Sequence, residues 1–328
     1  MPIFITGSIA TDHLMTFPGK FTDSLVAENL HNVSLSFLVD DLEIRRGGVA
    51  PNIAFGMGCL GLKPVLVGAV GSDFADYESW LQRHGVDTRG VHISETRHTA
   101  RFICTTDEEQ NQIASFYAGA MSEARNIELK PVVDVAGEPE VVLISANDPD
   151  AMLRHTQECR QRGYAFAADP SQQLARMDGP EIKPLIEGAK YLFTNEYESS
   201  LIEQKTGWTA RDIASMVETR ITTLGKNGSR VERRGQEPVL VGIAQEDRRA
   251  DPTGVGDAFR SGFLTGMAWG LSDERAAQIG SLLAAYVIES VGTQEYLLTR
   301  AAFLNRLARN FGDEAAADIA PHVVCPQP

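Results

Sequence analysis

The segment Asp251-Pro252-Thr253-Gly254-Val255-Gly256-Asp257 sets two carboxylates around two glycines, directly before an apolar helical stretch at residues 258–264. A Gly-containing turn that opens a helix presents the unpaired N–H groups of Gly254, Val255, Gly256 and Asp257 together with the positive end of the helix dipole, which suits an anion. Phosphoryl transfer needs negative charge held on the migrating group while an attacking hydroxyl gives up its proton. Asp257 stands where both needs meet. It is the candidate catalytic base, and Gly254, Val255 and Gly256 form the candidate anion hole. An Asp at a helix start can also be a cap and nothing more. The second glycine and the bracketing Asp251 exceed what a cap requires, given the backbone entropy that glycine costs.

Two other stretches suit the same chemistry. Asn195-Glu196-Tyr197-Glu198 follows an expected strand at residues 191–194, at the carboxyl edge where open α/β sheets bind ligands. There Asn195 and Glu198 are placed to hold a hydrated magnesium near phosphates, Glu198 through water and Asn195 also facing ATP; the plain alternative is a solvated helix start. Thr222-Thr223-Leu224-Gly225-Lys226-Asn227-Gly228 ends another strand in a turn, making Thr223, Gly225 and Gly228 candidate ATP contacts, with a simple hairpin as the alternative.

The elements that must position these residues read as an α/β protein. Apolar runs of strand length (3–7, 65–70, 141–145, 165–169, 191–194, 221–224) alternate with helical stretches (75–84, 149–162, 196–206), the pattern of a largely parallel sheet covered by helices. The last third is helical at 257–269, 273–290 and 300–311, and the tail 321–328 is expected to fray. Two segments break the alternation. Residues 33–39 are β-rich with no helix after them, and 100–106 with 112–117 read as a hairpin, so a small β lid is expected. If Thr106 pairs with Gln112, then Phe102 lies opposite Phe116 on one face; that face either covers a ligand or only holds the hairpin together. The expected division is a core of residues 1–10, 47–98 and 119–320 and a lid of residues 11–46 and 99–118.

Gly56-Met57-Gly58-Cys59-Leu60-Gly61 satisfies the dinucleotide fingerprint, but its helix precedes its strand, the reverse of what that motif needs. Gly61 reads as a helix stop. No P-loop sequence occurs.

Composition narrows the class. With 43% hydrophobic and 23% charged residues the chain is an ordinary globular one. A net charge of -14 argues against wide contact with nucleic acid. The four cysteines stand singly, which points to reduced thiols. No stretch reaches the roughly 18 apolar residues of a membrane span, and the N-terminus lacks a basic, apolar leader, so a cytoplasmic protein is expected.

Two separated signatures then coincide. Gly47-Gly48-Val49-Ala50-Pro51-Asn52-Ile53-Ala54, with Gly61 and Gly71 at matching spacings, and the segment from Asp251 to Asp257 resemble the N- and C-terminal signatures of the ribokinase (PfkB) family of carbohydrate and nucleoside kinases. Within it the chain is most similar to actinobacterial-type adenosine kinases, through Gly7-Ser8-Ile9-Ala10-Thr11-Asp12-His13-Leu14, residues 34–41 and Asp169-Pro170-Ser171-Gln172-Gln173-Leu174-Ala175-Arg176. The resemblance implies a ribokinase-like three-layer α/β/α domain with a β lid. It also implies an ATP- and Mg2+-dependent adenosine kinase of purine salvage, giving AMP and ADP. Carried over, Asp12, Gly48 and Asn52 bind the ribose hydroxyls, Ser8, Gln172 and Gln173 line the nucleoside pocket, and Phe102 and Phe116 sandwich the base. Asp251, with backbone near Gly292, would hold a monovalent cation such as K+. Pro252 and Val255 depart from the residues the family more often carries. A ribose- or fructose-type sugar kinase is the alternative within the family, and a non-catalytic ligand-binding relative the alternative outside enzymes. Unpaired lid edges suit a homodimer through the lid.

Overall fold

The computed structural model describes residues 1–24 and 36–326. Its main sheet has nine strands in the order Val239–Val241, Ser229–Arg233, Thr219–Thr223, Tyr191–Asn195, Phe166–Asp169, Val141–Ser145, Ile3–Thr6, Val65–Val70 and Asp87–Ile93. The pairings from Thr219–Thr223 to Asp87–Ile93 are parallel, and only the two pairings at the other edge are antiparallel. Side chains alternate across each strand, so Ile3 and Ile5 enter one core and Phe4 enters the other. The first core packs beneath the helices Val49–Cys59, Val255–Ala268 and Asp273–Ile288, the second beneath Pro149–Arg162 and Glu196–Thr206. Burial on both faces explains why the strands read as continuous apolar runs. The result is the expected ribokinase-like α/β architecture with a separate small sheet.

That small sheet has the order Asp41–Gly47, Ala10–Thr16, Ala100–Thr106, Gln112–Tyr117. Thr106 pairs with Gln112 and Phe102 with Phe116, in the register the sequence suggests. The expected strand at 33–39 is not found: residues 33–35 lie outside the described residues, and residues 36–39 form no strand. The strand begins instead at Asp41, where Asp-Leu-Glu-Ile-Arg-Arg alternates charged and apolar residues and pairs antiparallel with Ala10–Thr16.

The tail differs from expectation as well. Val323 and Cys325 are buried, and Arg300 Nε donates to Val323 O at 3.1 Å, so the chain is packed down as far as Cys325. Gly58 of the decoy motif sits inside the helix Val49–Cys59, where a Cβ would lie 1.9 Å from His84 O. Close helix packing accounts for that glycine without a nucleotide. Among the described residues no helix is long and apolar enough to cross a membrane.

Candidate active site

The sequence-predicted residues outside the lid fall at the carboxyl edge of the main sheet, at the start of the helix Val49–Cys59, or at and just before the start of the helix Val255–Ala268. Ser8 follows the strand Ile3–Thr6, Gln172 and Gln173 follow Phe166–Asp169, Asn195 ends Tyr191–Asn195, and Thr223 ends Thr219–Thr223. The helix Val255–Ala268 starts among them, with Gly254 as its N-cap at φ 78°. That left-handed conformation suits glycine, and a Cβ there would sit 2.7 Å from Thr293 Cγ2.

Two cavities meet at this helix start. The first, about 400 Å³, is lined by Asn195, Thr223, Gly225 and Gly228 together with Val255, Gly256, Phe259 and Arg249. The second, about 460 Å³, lies under the small sheet and is lined by Ser8, Asp12, Gly48, Asn52, Phe116, Gln172, Gln173 and Asp257, with Arg176, Thr253 and Thr293. The turn is therefore the wall between them: Val255 and Gly256 face one cavity, Thr253 and Asp257 the other. Among the described main-chain bonds, none uses the N–H of Gly254, Gly256 or Asp257, and that of Val255 makes only a 3.4 Å contact to Pro252 O. These are the free donors expected of a first helical turn.

Asp257 Oδ2 accepts a hydrogen bond from Asn52 Nδ2 at 2.9 Å. Burial raises its pKa to about 7, against the pull of Arg260 and of the Asn52 bond. Arg260, which sequence reasoning passed over, lies one turn further along the helix. Its Nε is 2.6 Å from Asp169 Oδ1 and its Nη2 is 3.8 Å from Glu198 Oε2. Burial works against the Arg260 charge, but Asp169, Glu198 and Asp257 around it outweigh that and raise its pKa. The signal available in the sequence was a lone charge inside an apolar helical run, which requires a buried partner. Asp12 is pushed up to about 6 by burial, with Arg45 pulling it back down.

Asn195 and Glu198 form a reciprocal capping box: Glu198 N–H donates to Asn195 Oδ1 and Asn195 N–H to Glu198 Oε2, each at 2.8 Å. The cap is real, but Glu198 is buried, not solvated as the plain alternative supposed. Its Oε1 remains, 3.5 Å from Ser171 Oγ, so a magnesium ion would be met through water by one oxygen. Among the described residues no group of three or more His, Cys, Asp or Glu is arranged to hold a metal directly. Asp251 fits a monovalent cation less well. One oxygen accepts from Thr253 N–H at 2.9 Å, the other from Gly292 N–H at 3.3 Å, and Arg45 Nη1 is 3.8 Å from that second oxygen.

In the lid, Asp12 is in register with Phe102, so both point to the cavity face of the sheet together with Phe116. Phe116 lines the cavity and is 48% exposed; Phe102, its cross-strand partner, is half-buried and does not line the cavity. The Thr219–Thr223 and Ser229–Arg233 strands do form the hairpin considered above, and its turn also borders the first cavity.

A family profile described as pfkB family carbohydrate kinase matches residues 10–300. The chain belongs to the pfkB family of carbohydrate kinases. A pfkB-family kinase is an ATP-dependent phosphotransferase, which agrees with a two-cavity site divided by a carboxylate and free amides. The ligand-free structure of the nucleoside kinase of Burkholderia thailandensis is 34% identical, covers 93% of this chain and 99% of that one, and superposes with a TM-score of 0.85. The structure of that enzyme in complex with ADP-inosine, 34% identical, covers 94% of this chain and 96% of that one with a TM-score of 0.80. A nucleoside kinase of Methanocaldococcus jannaschii is 29% identical over 269 residues, 80% of this chain and 86% of that protein.

Proposed function

We propose that this pfkB-family kinase is an adenosine kinase, moving the γ-phosphoryl of ATP to the 5'-hydroxyl of adenosine to give AMP and ADP. The observation that carries the reading is the turn between the cavities, which puts amide donors on one side and the Asp257 carboxylate on the other. ATP lies in the first cavity, over Thr223, Gly225 and Gly228, with its γ-phosphate against the N–H groups of Gly254, Val255 and Gly256. The nucleoside lies in the second, its ribose hydroxyls on Asp12, Gly48 and Asn52 and its base by Phe116, Ser8, Gln172 and Gln173. Asp257 takes the 5'-hydroxyl proton as that oxygen attacks in line. Magnesium, held through water by Glu198 and by the phosphates, would neutralise charge on the transferred group. Closure of the lid would keep water from the γ-phosphate.

A purine nucleoside is favoured over a free sugar by Phe116, which offers a stacking surface that ribose or fructose cannot use. The relative in complex with ADP-inosine supports the same class. A place in purine salvage follows from the product. The lid face turned away from the cavity exposes Leu42, Ile44, Ile113 and Tyr117, which supports a homodimer through the lid. Turnover of ATP against adenosine, inosine, other nucleosides, ribose and fructose tests the reading. Adenosine is expected to give the highest kcat/KM; another nucleoside giving a higher value would overturn adenosine as the substrate, and a free sugar doing so would overturn the nucleoside reading as well.

A further inference from the structure

Neither Trp80 nor Gln294 lines either cavity, yet both connect to the candidate base. Trp80 lies on the helix Ala75–Arg83, and its indole Nε1 donates to Gln294 Oε1 at 3.1 Å. An indole nitrogen can only donate, so the oxygen of Gln294 must face it and the amide nitrogen must face the other way. That nitrogen donates to Asn52 Oδ1 at 3.0 Å and to the Tyr77 hydroxyl at 2.6 Å. Thr293 Oγ1 also lies 2.8 Å from Asn52 Oδ1, its single proton shared between that oxygen and Arg46 O at 3.1 Å. With its oxygen held by the Gln294 amide, Asn52 turns its Nδ2 to Asp257 Oδ2. Tyr77 in turn donates to Gly47 O at 3.0 Å, tying the same relay to the start of the Gly47-Gly48 turn. Gln294 is 1% exposed and Tyr77 4%, so water does not compete for these bonds.

We propose that Gln294 is a positioning residue of the phosphoryl-transfer site: it takes its polarity from the donor-only indole of Trp80 and passes it through Asn52, so that an N–H and not a carbonyl faces the Asp257 carboxylate. A reversed Asn52 would set its oxygen against the carboxylate at hydrogen-bond distance, and Asp257 would lose both a donor and its aim. The same Asn52 is a sugar-hydroxyl contact in the nucleoside-kinase reading, on which this inference rests.

The test is a double-mutant cycle on adenosine turnover, with adenosine varied at saturating ATP and ATP varied at saturating adenosine. Gln294→Met keeps the volume and removes the polarity; it should lower kcat/KM for adenosine by about ten- to a hundredfold while moving the KM for ATP less than about twofold. In an Asn52→Ala background the same change should cost less than about twofold, because the relay then has nothing to orient. Trp80→Phe, which keeps an aromatic ring against Phe55 and removes the donor, should reproduce the pattern more weakly, and it carries the test if the Gln294 variant does not fold. Equal losses from Gln294→Met in both backgrounds would make the residue a packing element and overturn the proposal, as would a Gln294→Met protein of wild-type activity. A wild-type protein inactive on every nucleoside would defeat the reading beneath it as well, a result visible before any variant is made.

Discussion

Asn52 Nδ2 lies 2.9 Å from Asp257 Oδ2, joining the two signature segments across 205 residues of chain. The bond favours the ionised carboxylate, whereas burial favours the protonated one, and burial wins to leave Asp257 near 7. A base must be ionised to accept a proton. The kcat/KM for adenosine should therefore rise with pH, about tenfold per unit below roughly pH 6, and level off above roughly pH 8. Asp12, raised to about 6, steepens the acid side if the sugar contact needs its charge. A pH–rate profile checks this; a flat profile between pH 5 and 8 would contradict it.

The same displacement has a cost in stability. Because the folded pKa of Asp257 lies above its unfolded value of about 3.9, its contribution is fully present below that value and is lost as pH rises through about 7. Asp257→Asn removes the loss. Melting curves should show the variant more stable than wild type by roughly 2 to 5 °C at pH 8, with the difference gone near pH 4.

Arg260 gives the opposite outcome. Arg260→Met would leave Asp169, which has no exposed surface, without its cation. Removing one partner of a buried ion pair costs about 3 to 5 kcal/mol. Denaturant unfolding at pH 8 should register a loss of that order, whereas a loss below about 1 kcal/mol would show that the pair is dispensable.

In the proposed site Phe116 is the residue that separates nucleoside from sugar chemistry. Base–aromatic stacking contributes about 1 to 3 kcal/mol, so Phe116→Ala should raise the KM for adenosine by about five- to a hundredfold. Any KM for ribose should move less than about twofold, because ribose offers no base to stack. Equal effects on the two acceptors would contradict the stacking role.

Much of this site was legible because its chemistry sits on short contiguous motifs. Turn glycines before an apolar helix announce free amides at Gly254 to Asp257, and period-two patterning placed Phe102 opposite Phe116. What escaped was set by distant partners. Gln294 is an unremarked amide in Val291-Gly292-Thr293-Gln294, and only the fold brings it within 3.0 Å of Asn52. Arg260 was visible as a misplaced charge, but its partner Asp169 lies on a strand 91 positions earlier. Propensity points to a lid strand at 33–39, which is rich in β-formers, whereas the strand Asp41–Gly47 is specified by its register with Ala10–Thr16.

In the proposed reaction Asp257 removes the proton from the acceptor hydroxyl. The most direct measurement of this step is phosphoryl transfer from labelled ATP to adenosine at pH 8 by wild type and Asp257→Asn, with adenosine binding measured by calorimetry on both. The account predicts a fall in kcat of about a thousandfold or more with the adenosine Kd within about threefold; a variant that keeps turnover within about tenfold of wild type would contradict it.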